Sequence, residues 1–334
     1  MKKCIYAAWA FLALSACQGK QSQTEPSGDT SAVDSEVVVQ DQNSEEAMPE
    51  KPTKPTLAEQ MANMKPLALV VESPEHYGMI SLNTKGEGLV KLKVLSCREN
   101  GITDTDAWIA QNKEGMPYQS FWMGNLKEGE DTPFLKFLAM PETYDGLYRG
   151  DFEIHPGYNV VAYGENKFNN QIGYDCNVLV VTDNDFTEIK KIVDFRPFTK
   201  DFLESYDLND NCAPTYSGYT VVGDSLYVVM THHTYSSASK GNNAYLMSID
   251  LNKGWLNWMT KTLTCNSQFI IIDNSIVCGY GFSGEPHHVY VLDRMSGERV
   301  QTLSVKKTPE LFSLDGNKLH MRTYSYDYVL EVTK

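Results

Sequence analysis

The residues best suited to chemistry in this sequence are four histidines in two adjacent pairs, His232-His233 and His287-His288, with Glu285 beside the second pair. Imidazole is a good ligand for a divalent transition metal, and two rings plus a carboxylate make a familiar ligand set. Neighbouring residues on a strand point to opposite faces, so each pair offers one ligand to a common site. The competing reading, histidines in surface loops, is the one favoured here. Asp207-Leu208-Asn209-Asp210-Asn211 matches the first ligand positions of a calcium loop. Cys212 then occupies the place of the turn glycine and Gly218 that of the closing glutamate, so a surface turn is expected. Asp183-Asn184-Asp185 needs only a hairpin explanation. Tyr216, Tyr219, Tyr235 and Tyr245 gather around the polar loop from His232 to Asn243. Such rings suit stacking on a sugar or peptide and suit half-buried strands equally well. No nucleophile elbow, phosphate-binding loop or His-Glu-x-x-His occurs, so no catalytic residue is assigned. No cofactor is predicted, and a metal ion stays an unsupported option.

The elements that must position these residues read as strands. From Leu67 onward, short runs rich in Val, Ile, Tyr and Phe alternate with Gly, Asn, Asp and Ser, for example 159–163, 177–181, 225–230, 269–272 and 288–292. The stretch around Phe198 to Tyr206 is the helical exception. Three segments share a spacing: Tyr245 to Gly254, Val289 to Glu298 and, more loosely, Tyr77 to Gly86. Each is an apolar strand, then Asp or Asn, then a short gap, then Gly. The acidic or amide side chain accepts backbone N–H groups in the turn, and the glycine takes a positive φ. Asp250 and Asp293 lie about 43 residues apart, the length of one four-stranded propeller blade.

This pattern resembles the quinoprotein-type (PQQ-like) β-propeller repeat: strand, Asp, three residues, Gly, three residues, Trp. Asp250, Gly254 and Trp258 match in full. Asp293 and Gly297 match, with Gln301 where the Trp would stand; Asn83 and Gly86 match loosely. The resemblance implies that Trp258 packs between blades. It covers residues 215–305 well, and residues for a quinone and its calcium cannot be placed. The expected fold is therefore an all-β propeller over residues 66–334. Six blades are expected, with five to seven allowed: 67–97, a degenerate 100–140, 145–196, 215–264, 267–306 and a three-stranded 309–333. An N-terminal strand is expected to complete the last. A two-sheet sandwich with a separate small N-terminal domain is the alternative fold.

The N-terminus carries a different signal. Lys2 and Lys3 precede an apolar run, Ile5 to Leu14, too short to span a bilayer, and Leu14-Ser15-Ala16-Cys17 follows. This resembles the lipobox of bacterial lipoproteins. The resemblance implies removal of residues 1–16, lipid on Cys17 and an anchor in the cell envelope. Gln18 in the next position favours the outer membrane over the inner. Residues 17–65 are then a lipidated, acidic, disordered leash, poor in apolar residues and spanning roughly 40 Å on average. Five further cysteines remain, Cys97, Cys176, Cys212, Cys265 and Cys278. Mostly single buried thiols with at most one bridge are expected, Cys176–Cys212 being one option. Net charge is −14, with 43 acidic against 29 basic residues, which argues against a nucleic-acid partner. The functional expectation is a membrane-tethered extracytoplasmic propeller that binds an envelope protein or a carbohydrate, as a scaffold. The alternative is a glycan-acting enzyme or a sugar-binding accessory lipoprotein.

Overall fold

The computed structural model describes residues 54–69, 71, 86–100, 105–121, 133–165, 176–232 and 235–334. Cys17, His233 and the Asn83 turn position lie outside them. Four sheets carry the fold. The first contains β1 (Leu67–Ala68), β3 (Gln119–Phe121), β4 (Thr143–Tyr144), β5 (Leu147–His155), β6 (Tyr158–Gly164), β7 (Cys176–Thr182) and β8 (Ile189–Asp194), in the order β1-β8-β7-β6-β5-β3 with β4 on β5. The second is an antiparallel meander of β9 (Thr215–Val222), β10 (Ser225–Thr231), β11 (Tyr245–Asp250) and β12 (Trp255–Met259). The third repeats that plan with β13 (Ile270–Ile272), β14 (Ser275–Tyr280), β15 (His288–Asp293) and β16 (Arg299–Ser304). The fourth joins β17 (Pro309–Asp315), β18 (Lys318–Thr323) and β19 (Tyr326–Thr333) to β2 (Lys91–Glu99) from far upstream. Four short helices accompany them: α1 (Leu57–Asn63), α2 (Thr105–Asn112), α3 (Pro133–Phe137) and α4 (Arg196–Ser205).

The sheets stack face to face in chain order, and the burial of each strand follows from its depth in the stack. β7, with the sequence Cys-Asn-Val-Leu-Val-Val-Thr, is buried at six of its seven positions. One face, Val178 and Val180, packs with Phe137, Phe152 and the α1 residues Leu57 and Met61. The other, Leu179 and Val181, meets the second sheet and Phe198 and Phe202 of α4. A strand covered on both faces must be apolar throughout. β16, at a sheet edge, instead alternates half-buried and exposed residues. Tyr227, Val229 and Leu246 of the second sheet meet Ile276, Cys278 and Leu292 of the third. Val277, Val289 and Val291 meet Phe312, Leu319 and Met321 of the fourth.

The repeated turns explain how neighbouring sheets lock. Asp250 Oδ1 accepts the N–H of Asn252 and Lys253 at 2.8 and 3.0 Å, and Asp293 Oδ1 accepts that of Met295 at 2.8 Å. Gly254 and Gly297 both have φ of 74° and both donate to the carbonyl of their Asp at 2.8 Å. The Gly297 turn lies on Trp258 of the preceding sheet, where an added Cβ would come within 2.7 Å of the indole. The indole N–H donates to Arg294 O at 3.1 Å. Gln301, at the tryptophan position of the third sheet, does something else. Its amide accepts from Leu92 N at 2.8 Å and donates to Leu92 O at 2.7 Å. It clamps the backbone of β2, the strand that completes the fourth sheet.

Two expectations are corrected. Residues 67–97 do not form a sheet of their own: β1 runs parallel to β8 of the first sheet, and β2 pairs with β19. The described part of 100–140 supplies α2, α3 and the three-residue β3, which joins the first sheet, and four sheets stand among the described residues. Trp108 is the one buried side chain of α2, which leaves no periodic apolar face to announce the helix. One compact unit spans Lys54–Lys334. α1 opens with a capping box between Thr56 and Glu59, and it buries Leu57 and Met61. The Cys176–Cys212 option is also overturned: all five cysteines are free. The Cys176 thiol donates to Val178 O and that of Cys212 to Ala238 O.

Candidate functional site

Two groups of polar side chains stand out, one on a loop face and one inside. The loop face is built by the β10–β11 and β14–β15 connections. The first turns through a 3₁₀ segment, Ser236–Ser239, closed by Lys240 at φ 55°. Asn243 holds its base: Oδ1 accepts from the His232 N–H at 2.9 Å and from Thr231 Oγ1 at 3.1 Å. Glu285, from the second connection, reaches across and accepts from Ser236 N at 3.3 Å and Ser236 Oγ at 2.7 Å. Its other oxygen accepts from the Tyr280 hydroxyl. Tyr235 meets Phe282 edge-on with centroids 4.8 Å apart. Three contacts thus fix two loops from different sheets into one surface, with Tyr280 holding Glu285 from its own sheet.

The predicted ligand residues divide among unlike surroundings. Glu285 is taken up by Ser236 and Tyr280. His232 is buried at the end of β10. His287 packs so tightly over Gly281 that a Cβ there would lie 2.3 Å from its ring. Burial pushes the His287 pKa down, and Lys307 and His288 push the same way. His288 lies 5.5 Å from the Tyr290 ring, with Nδ1 buried and without a hydrogen-bond partner. No three His, Cys, Asp or Glu among the described residues form a metal-holding group. The tyrosine cluster separates too. Tyr216, Tyr219 and Tyr245 are core residues, and Tyr235 alone of the four is exposed, at 46%. Tyr216 stacks on Phe195 at 4.0 Å and its hydroxyl is 2.7 Å from Thr199 Oγ1. The Asp207 segment is a surface turn, with Lys240 Nζ 3.0 Å from its carboxylate. Asp183 Oδ1 closes its hairpin by accepting from Thr187 N and Glu188 N.

The interior group was not foreseen. Glu153 and His155 lie two apart on β5, hence on one face, and both are buried. His155 Nε2 is 3.1 Å from Glu153 Oε2, and Nδ1 is 3.0 Å from the Tyr158 hydroxyl. The second sheet completes the network: Tyr219 N donates to Glu153 at 3.3 Å and Val221 N to Tyr158 Oη at 2.7 Å. Burial pushes the Glu153 carboxyl pKa up, against the stabilising contacts from His155 and Tyr219. Burial likewise raises the Tyr158 phenol to about 12. Tyr118 places its ring 5.0 Å from that of His155 and its hydroxyl beside Gly218, and it hydrogen-bonds Gln268. Gln268 Oε1 in turn accepts from Phe312 N of β17 at 2.9 Å. One chain of contacts therefore runs from the first sheet to the second and, through Gln268 just ahead of β13, to the fourth. Glu153 and His155 are both buried, and the network joins neighbouring sheets. The readable signal was Glu-x-His followed by a hairpin that sets Tyr158 opposite His155. A groove of about 480 Å³ between α1 and the β4 turn, lined by Met61, Ala62, Met64, Pro141, Tyr144 and Asp145, contains none of these groups.

No protein-family profile and no curated protein matches this chain. Solved structures do. BamB from Moraxella catarrhalis aligns at 10% identity over 55% of this chain and 53% of its own, with a TM-score of 0.33. A europium-containing methanol dehydrogenase aligns at 12% over 58% and 28%, TM-score 0.30. The WD40 β-propeller domain of Doa1 aligns at 11% over 57% and 62%, TM-score 0.32. This chain is similar to each over about half its length.

Proposed function

We propose that this chain is a lipid-anchored binding module of the cell envelope. In this reading Cys17 carries the lipid, and the four sheets act as blades of a propeller whose loop face recognises an envelope protein. The observation that carries the recognition claim is the bridging of two loops by Glu285, with Tyr235 left exposed at their junction. A surface fixed in advance loses little entropy on binding, and an exposed tyrosine held by an aromatic neighbour suits a contact centre. The anchor rests on the sequence alone: a basic start, a short apolar run and small residues before Cys17. Gln18 supports the outer membrane.

The test is in-cell photo-crosslinking from position 235. A discrete cross-linked partner, lost when Glu285→Ala unties the loops, is expected. Cross-links that are diffuse, or unchanged in Glu285→Ala, would overturn the recognition claim. For the anchor, Cys17→Ala is expected to move the protein out of the membrane fraction and abolish labelling by a radioactive fatty acid.

A further inference from the structure

Strand β2 offers a second, independent surface. It pairs with β19 along one edge, and among the described residues its other edge has no strand beside it. Gln301 holds the edge at Leu92, and from Val94 onward the edge presents a row of backbone donors and acceptors with no ladder partner among the described residues. Val94 and Leu95 in its middle are 41% and 48% exposed. Lys91, Lys93 and Arg98 are also exposed, three basic residues with the acidic Glu99 at the strand's end, on a chain of net charge −14.

The β2–β19 ladder sets basic positions opposite acidic ones. In the β2–β19 register Lys93 stands opposite Glu331 and Arg98 opposite Asp327, and the bulge between them keeps both pairs on one face. Opposite charges across a ladder stabilise it, and like charges weaken it. Two copies of β2 side by side, parallel and in register, would set Lys against Lys and Arg against Arg, which disfavours that pairing of two chains. The fold has an internal precedent for adding a short strand to an outer edge: β1 lies along β8. We propose that the free edge of β2 takes an acidic, extended segment of a partner protein as a further strand, with its carboxylates opposite Lys93 and Arg98. This goes beyond the loop-face reading and stands if the cross-linking from position 235 fails.

The probe is a fluorescent peptide with the sequence of Tyr326–Thr333, titrated against the full chain to about 1 mM. Saturable binding that slows amide exchange at 91–99 is expected. Replacing the peptide's Asp and Glu by Lys should weaken binding about tenfold, and the protein variant K93E/R98E should regain the swapped peptide. The peptide arm reads the same effect if that variant does not fold. Absence of binding, or binding indifferent to charge reversal, would overturn the proposal. So would exchange at the free-edge amides that is already slow in the chain alone, since the chain would then cover its own edge.

Discussion

The joint between the second and third sheets and the joint between the third and fourth use the same two repeat positions differently. At the first, the β15–β16 turn is covalent, and Trp258 fills the space beneath it with an indole bonded to Arg294 O. At the second, the outermost strand of the incoming sheet is β2, borrowed from 209 residues before Gln301. No turn connects β19 to β2, so there is nothing for an indole to support. What needs holding is a bare strand, and Gln301 grips its backbone by both donor and acceptor. A departure from the repeat thus marks the place where the connectivity changes. The lesson is that a residue at a repeat position answers the geometry of its neighbour rather than that of its own sheet.

The comparison can be broken most forcefully at Trp258. Trp258→Ala removes a fully buried indole and leaves Arg294 O without its donor, so a loss of about 4 kcal/mol is expected in denaturant unfolding. Gln301→Ala should cost less, about 2 kcal/mol, with two backbone groups of Leu92 unpaired. Its signature is local: amide exchange at 91–99 should quicken while 245–259 stays slow. If both regions quicken equally, the two joints are not distinct. A third effect sharpens the fourth sheet alone. Burial pushes the Glu310 carboxyl on β17 up to about 7, opposed by Arg322. A carboxyl raised on folding contributes stability that is full below its unfolded value near 4.5 and is lost as pH rises through 7. Glu310→Gln should therefore stabilise by about 1–2 kcal/mol at pH 8.5 and by nothing measurable at pH 4. A gain independent of pH would remove Glu310 as its cause. The smallest effect concerns the far side of the first sheet. Thr56→Ala undoes the capping box of α1 and should cost about 1 kcal/mol without altering exchange at 91–99.

What could be read in the sequence was local. Asp250 and Gly254 announce their corner because the turn that unites them lies within five residues. Gln301 was visible as a departure, but its partner is Leu92, and no spacing links positions so far apart. That an N-terminal strand completes the last sheet was legible; which strand does so, and in what register, was not, because register is set by contacts between distant segments. The helices within 100–140 were not legible, because they are short and α2 buries a single aromatic residue. Glu285 was named as a ligand beside the histidines, and the side chains it bonds are Ser236 and Tyr280, which no spacing in the sequence marks. The Glu153–His155–Tyr158 network needed a hairpin and a neighbouring sheet before its residues met.

The most direct test of the account is whether β2 completes the fourth sheet in the stated register. In a Cys97→Ser background, cysteines replacing Lys93 and Glu331, directly opposite, should form a disulfide under mild oxidation with the fold intact. Cysteines replacing Lys91 and Glu331, out of register, should stay reduced. A bridge in the second protein, or in neither, would contradict the borrowed-strand assembly.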